Sequence, residues 1–230
     1  MTSSDKVKKP ASTSRPTYQF EAKWAEDGPV IGIDEAGRGP WAGPVTAAAF
    51  WICPEHRDTL PAKLTDSKKL TASQRADIEA ELCNPANGHL FAIHHSPVDE
   101  IDRLGILPAT FKAMQAVAIR LSEQLLNAGH ATAPSFLVDG NLLPELPFRA
   151  RAIIKGDSLS LSIAAASIIA KQSRDRLMTD LAAEYPEYGW HTNAGYGTQT
   201  HQQALRRYGV TDHHRRSYAP IRRHLQTGTL

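Results

Sequence analysis

Residues 29–52 read PVIGIDEAGRGPWAGPVTAAAFWI, and the class of fold turns on this stretch. Its first part, 29–34, is an apolar run that ends on two adjacent acids, Asp34 and Glu35. Its last part, 45–52, is a second apolar run, separated from the first by a Gly- and Pro-rich connection, 37–44. Strands this close in sequence are most simply joined as an antiparallel hairpin. Moving outward, HLFAIHH (89–95) reads as a third strand, and FLVD (136–139) and RAIIKGD (151–157) as two later ones, each ending in an acid.

Helical patterns lie between and after these strands. Thr71-x-x-Gln74 is a capping box, and Ile78 and Leu82 sit one turn apart behind it. Across 108–127, Phe111, Met114, Val117, Ala118, Leu121 and Leu125 follow helical spacing, and Gly129 marks the end. These residues are expected in the core. A long helix is expected from about 159 to 185, and a second capping box, Thr200-x-x-Gln203, opens a short helix that stops at Gly209. Strands followed by alternating helix and strand predict an α/β protein, with a mixed β-sheet flanked by helices and a small helical C-terminal region. The expected division is a disordered arm at 1–16, rich in Ser, Thr, Pro and Lys with little to bury. A catalytic domain follows at 17–190, then a helical, basic substrate-binding region at 191–230.

The composition excludes several function classes. With 230 residues, 41% hydrophobic and 22% charged, the chain is an ordinary globular protein that needs no disulfide staples. No apolar run approaches the roughly 20 residues that cross a bilayer, and 10–16 is polar, so no signal peptide is expected. The expectation is a cytoplasmic protein with no membrane partner. Cys53 and Cys83 lie far apart with no C-x-x-C pairing, which points to two buried reduced thiols rather than a zinc site. Net charge is +2 but uneven. Arg206, Arg207, Arg215, Arg216, Arg222 and Arg223 stand against Asp212 alone in the last thirty residues. Such a stripe suits a phosphate backbone, and suits a solvated surface as well.

An aspartate closing an apolar strand recurs at Asp34 (with Glu35 beside it), at Asp139 and at Asp157. Ligands collect at the C-terminal edge of strands in α/β sheets. If these strands are neighbours, the carboxylates repel one another, and burial raises their pKa values. A divalent cation removes that cost, and an all-oxygen set suits Mg²⁺ or Mn²⁺ better than zinc. Two such ions can activate water and stabilise a leaving oxygen at a phosphodiester. Each acid also has a plain reading: Asp139-Gly140 as a turn, Gly156-Asp157 as a helix cap, and Asp34-Glu35 as an acidic turn. Carboxylates alone leave the two readings level.

The surrounding sequence separates them. GIDEAGRGPWAGPV (32–45) resembles the N-terminal signature of the ribonuclease HII family. LTDSKKL (64–70), VDG (138–140), IKGD (154–157), SIAAASI (162–168), NAGYGT (193–198) and HRRSY (214–218) resemble the family's later blocks, in the same order. The resemblance implies a ribonuclease H-like fold and a metal-dependent endonuclease that hydrolyses the RNA strand of RNA–DNA hybrids. It further implies cutting 5′ of ribonucleotides embedded in duplex DNA, leaving 3′-hydroxyl and 5′-phosphate ends. Its metal-binding, catalytic acids fall on Asp34, Glu35, Asp139 and Asp157, with Mg²⁺ or Mn²⁺ as cofactor. Gly37, Arg38 and Gly39 match the segment that approaches the 2′-hydroxyl, the group that separates RNA from DNA. Tyr196 matches a tyrosine that stacks on the sugar, and Lys68 and Lys69 match a phosphate-contacting block. Arg215 and Arg216 are expected to bind the substrate backbone, with the chain acting as a monomer.

Leu159 and Ala194 depart from the family pattern where basic residues are common, and Trp41 replaces a commoner aliphatic residue. Three other readings compete with this one. Gly156-Asp157-Ser158-Leu159 spells a serine-esterase signature, but here it lies past mid-chain, and Asp212 is followed three residues later by Arg215 instead of histidine. A non-catalytic hybrid-binding module would lack one or more acids, yet all four are present. The sister ribonuclease HIII usually has serine where Ala36 stands and carries an extra N-terminal domain. The pairs His94-His95 and His213-His214 lack further ligands at metal spacing and are expected to be structural or phosphate-facing.

Overall fold

The computed structural model of the chain describes residues 15–230. A five-stranded sheet forms its centre, with strand order β3-β2-β1-β4-β5. Strands β1 (Val30–Ala36), β2 (Val45–Trp51) and β3 (Leu90–Ser96) form the expected antiparallel meander. Strands β4 (Ser135–Asp139) and β5 (Ala150–Ile153) add in parallel on the other side of β1. The helices are α1 (Gln19–Trp24), α2 (Ala72–Leu82), α3 (Val98–Leu104), α4 (Ile106–Asn127), α5 (Leu161–Glu184), α6 (Trp190–Asn193), α7 (Gln199–Tyr208) and α8 (Ala219–Thr227). Among the described residues, no helix is long and apolar enough to cross a membrane.

Successive side chains of β1 and β2 alternate between two faces, and both faces are apolar because each is covered by a helix. Ile31, Ile33, Ala47 and Ala49 pack with Met114, Val117, Leu121 and Leu125 of α4. Ala48, Phe50 and Ile52 pack on the opposite face with Ala164, Ala165, Ile168 and Ile169 of α5. The run of small residues in α5 lets it approach closely: a Cβ on Gly32 of β1 would lie 2.2 Å from the Ser162 carbonyl carbon. The core positions expected along α4 are buried except Phe111, which packs half-buried at the rim.

Several expectations need correction. Asp157 does not close a strand: β5 stops at Ile153, Lys155 adopts a left-handed conformation (φ 57°), and Asp157 lies in the 3₁₀ turn Gly156–Ser158. The cap of α7 is Thr198, not Thr200; its side chain accepts from the His201 amide. A threonine two residues upstream already supplies the oxygen the helix end needs, so Thr200 is simply helical. Of the expected arm, residues 1–14 lie outside those described, and Pro16 is buried. Met178 and Ala182 of α5 pack with Trp190, Leu205 and Ile221, which joins the C-terminal helices to the sheet domain. Cys53 and Cys83 are free thiols, half-buried and not fully buried as expected.

Helix α1 was not expected. It carries Glu21, buried at 1% exposure. One of its carboxylate oxygens accepts from the Ser162 amide (2.8 Å), the Ser162 hydroxyl (2.7 Å) and the Ser160 hydroxyl (2.6 Å). The first turn of α5 is thereby satisfied from a segment 141 residues away. Leu159 packs under this segment with Trp24 and Ile163, which accounts for an apolar residue at that position.

Candidate active site

Parallel pairing sets the site. Ile33 of β1 lies beside Val138 of β4, so Asp34 and Asp139 are the next residues on neighbouring strands. Asp139 in turn lies beside Ile153 of β5, and the turn after β5 folds Asp157 back toward both. Carboxylate oxygens of Asp34, Asp139 and Asp157 lie within 4.8 Å of one another. The Gly156 amide donates to Asp139 Oδ1 at 2.6 Å, and the Glu35 amide to Asp34 Oδ1 at 2.7 Å. Backbone amides thus aim two of the three carboxylates.

Glu35 is not part of that triad. Its carboxylate accepts from Arg38 at 3.2 Å, while lying near enough to Asp139 for the two charges to oppose. Burial, then the charges of Glu35 and Asp139, push the Asp34 carboxyl well above its usual range. Burial first, then Asp139 and Asp66, push Asp157 up to about 6. Burial also raises Glu35, against the pull of Arg38. Lys68 answers this charge: burial alone would lower it, but Asp34, Asp157, Asp66 and Asp139 together hold it above the usual lysine value. Negative charge is concentrated here beyond what the side chains neutralise. All donors are oxygen, which fits a hard divalent cation held by Asp34, Asp139 and Asp157, with Glu35 adjacent.

The wall beside the triad is the turn 37–44. Its carbonyl oxygens point inward onto two buried guanidinium groups. Arg174 of α5 donates to Pro44 O (2.9 Å) and Ala42 O (3.1 Å). Arg215 donates to Gly37 O (2.6 Å), Arg38 O (3.0 Å) and Gly43 O (2.9 Å). Gly37 has φ +91°, and a Cβ there would lie 2.0 Å from Arg174 Nε, so only glycine fits. Tyr196 stands opposite, its ring 3.3 Å from where a Cβ on Gly39 would be. A single cleft is lined by Glu35, Gly37, Gly39, Lys68, Lys171 and Tyr196.

Of the other expected substrate residues, Lys68 borders the triad, and Lys69 donates to the Ser158 hydroxyl at 3.1 Å on the far side. Arg216 is exposed and pairs with Asp212 at 3.1 Å. Arg215 corrects the expectation: it is 0% exposed, and its donors are used by the carbonyls above and the Tyr218 hydroxyl (2.9 Å). A phosphate contact would strip buried carbonyls of their donors, so Arg215 supports the turn from behind. Ser158, the would-be esterase nucleophile, has Lys69 as its side-chain partner and no histidine among the described residues.

Asp66, Arg174 and Trp41 carry no assigned role in the sequence pattern, yet all three support the site. Asp66 lies inside the block 64–70 and faces Asp157, but an acid in a basic loop reads as a turn cap, which it also is (Lys68 amide to Asp66 Oδ1, 2.9 Å). Trp41 packs its indole over Gly197, where a Cβ would lie 2.2 Å away, and so supports the Tyr196 segment. Ala194 is left-handed (φ 48°), with its carbonyl held by Arg174 at 2.9 Å.

A family model described as Ribonuclease HII matches residues 31–221. The chain belongs to the ribonuclease HII family. A ribonuclease HII of Cereibacter sphaeroides is 50% identical over 194 residues, covering 84% of each chain. One of Gluconobacter oxydans is 47% identical over 207 residues, covering 90% of this chain and 95% of the other. Among solved structures, the ribonuclease H2 of Pyrococcus horikoshii matches with TM-score 0.61 at 25% identity, over 85% of this chain and 96% of that one. Bst-RNase HIII, solved in complex with Mn²⁺, shares the fold with TM-score 0.69 at 19% identity, over 86% of this chain and 69% of its own. As a member of this family, the chain is a ribonuclease H, a metal-dependent nuclease acting on RNA–DNA substrates.

Proposed function

We propose that the chain, acting as a monomer, cuts 5′ of ribonucleotides embedded in duplex DNA as well as the RNA strand of hybrids, leaving 3′-hydroxyl and 5′-phosphate ends. The observation that carries this reading is the juxtaposition, in adjoining clefts, of the Asp34–Asp139–Asp157 triad with the gap between Gly39 and Tyr196. A divalent cation, Mg²⁺ or the Mn²⁺ named with the solved HIII relative, supplies an activated water and charge stabilisation at the phosphodiester when bound. Asp34, Asp139 and Asp157 would hold it, with Glu35 beside them. The chain's own groups do the rest. Gly37, Arg38 and Gly39 present backbone close to the 2′-hydroxyl, and glycine at 39, where a Cβ would face Tyr196, allows that approach. Tyr196 supplies an exposed ring to stack on the sugar. Lys68, Lys69 and Arg216 contact phosphates on either side, which positions the strand without reading its sequence.

The deciding assay is a DNA duplex with one ribonucleotide, incubated with and without chelator, with the cut mapped to the nucleotide. Cleavage 5′ of the ribonucleotide that chelator abolishes is expected, and cutting elsewhere or in chelator refutes the reading. In the same assay Tyr196→Ala is expected to lower cleavage at the isolated ribonucleotide about tenfold more than cleavage of a continuous hybrid, the size of one or two lost contacts. Thermal stability should change little, since the ring is 49% exposed. Equal loss on both substrates would remove its sugar-sensing role.

A further inference from the structure

His201 on α7 and His214 before α8 are both 0% exposed. Their hydrogen bonds fix which ring nitrogen carries the proton. The Thr211 amide donates to His214 Nδ1 at 3.0 Å. An amide only donates, so Nδ1 holds the lone pair, and the proton of the neutral ring lies on Nε2. That Nε2 stands 3.0 Å from His201 Nε2. The Trp190 indole N–H, which also only donates, points at the same His201 Nε2 at 3.3 Å. His201 therefore accepts there and carries its proton on Nδ1, 3.0 Å from the carbonyl oxygen of Tyr196, which only accepts. The two ends of the chain demand the same pair of tautomers. Donation runs one way, from Thr211 through His214 and His201 to Tyr196.

Both rings must be neutral for this to hold, because a second proton would set two N–H groups against each other. Burial lowers the pKa of His201, and burial with the neighbouring His201 lowers His214 to about 3. The relay ends on a segment that is held throughout. Arg174 holds the carbonyl of Ala194, the Trp41 amide that of Gly195 (2.8 Å), and Gln202 that of Gly197 (2.8 Å). At the other end, His214 is followed directly by Arg215, which holds the carbonyls of Gly37 and Arg38. Consecutive residues thus fasten the two sides of one gap, His214 reaching Tyr196 through His201 and Arg215 reaching the turn opposite.

We propose that the buried His201–His214 pair are positioning residues that set the spacing between Tyr196 and the Gly37–Gly39 turn, and thereby the enzyme's discrimination of an isolated ribose. This rests on the sugar-sensing reading of Tyr196 given above. The readout is the ratio of kcat/KM on a duplex with one ribonucleotide to kcat/KM on a continuous hybrid. His201→Phe fills the space without an N–H and is expected to lower that ratio about tenfold, the scale of one lost hydrogen bond. His201→Asn keeps an amide N–H near the former Nδ1 position and is expected to restore most of it. In a Tyr196→Ala background, His201→Phe should lower the ratio no further. An equal loss on both substrates, or a fully additive loss in the double variant, overturns the proposal. If Tyr196→Ala alone leaves the ratio unchanged, the sugar-sensing reading falls and takes this one with it. If Tyr196→Ala lowers the ratio and His201→Phe does not, only the relay falls. One measurement needs no variant: ¹⁵N spectra of the full chain should show His201 as the Nδ1–H tautomer and His214 as Nε2–H. The reverse assignment overturns the proposal as well.

Discussion

Asp139→Asn is expected to reduce cleavage by about three orders of magnitude while leaving the fold intact. The substitution keeps the shape and the oxygen that accepts from the Gly156 amide at 2.6 Å, but removes one of three charges within 4.8 Å of each other. A bound cation contributes several kcal/mol at the transition state, and each 1.36 kcal/mol is tenfold in rate. Losing about 4 kcal/mol gives the stated drop. Stability should move the other way. In metal-free protein the carboxylates oppose one another, so Asp139→Asn is expected to raise the melting temperature. Mg²⁺ should stabilise the unsubstituted chain, by about 2.7 kcal/mol at a hundred times Kd, and the variant far less. The pH dependence has a definite sign. A carboxyl whose folded pKa lies above its unfolded value binds protons that unfolding releases, so the folded state loses stability as pH rises. For Asp157 the window runs from about 4 to about 6, and Asp34 acts in the same direction. Metal-free protein should therefore be less stable at pH 7 than at pH 5 relative to its Asp157→Asn variant, and Mg²⁺ should erase that difference. Full activity in Asp139→Asn, or a metal response unchanged by it, would remove Asp139 from the site.

How much of this was legible in the chain depends on the range of the interactions. The strands of 29–52, the α4 stripe and the Thr71 capping box follow from period and local chemistry, which act within a few residues, and they stand where the pattern puts them. Asp139 was legible as a strand end, and Asp34 as the close of an apolar run, although β1 continues through it to Ala36. Their adjacency was not, because it comes from the parallel register of β4 on β1. Asp157 came out as a strand end although it lies on a 3₁₀ turn: Gly156-Asp157 follows an apolar run, and nothing local says that the run leaves the sheet at Ile153. Glu21 is the plainest failure. Phe20 and Trp24 flank this acid in a segment too short to show a clear helical period, and only packing α1 against the start of α5 makes Glu21 a buried cap. Long-range pairing of this kind leaves no periodic trace. The same limit governed the arginines, since a run of like charges reads the same whether its members face solvent or carbonyl oxygens.

Arg215 and Arg216 are adjacent in sequence and are expected to fail in opposite ways. Arg215→Met should destabilise the chain by about 2–4 kcal/mol. It would leave the carbonyls of Gly37 and Gly43 in a dry interior without donors, and a buried unsatisfied polar group costs about 1–3 kcal/mol. Part of this is offset, because Tyr218 still donates to Arg38 O and because Arg174 loses a like charge that helps push it down to about 10. Arg215→Lys should recover little, since one ammonium cannot span three carbonyls in the plane a guanidinium reaches. Against a typical stability of 5–15 kcal/mol the loss is large, and it should show in denaturant midpoints before any substrate is added. Arg216→Ala, by contrast, replaces an exposed side chain whose ion-pair partner is Asp212, and its stability should stay within about 0.5 kcal/mol. Its effect should appear in binding to a hybrid, where losing one phosphate contact reduces the slope of log affinity against log salt by about 1. An Arg215→Met protein as stable as the original, with a reduced salt slope, would mean that Arg215 reaches the nucleic acid after all. The support of the 37–44 turn would then have to come from Arg174 alone.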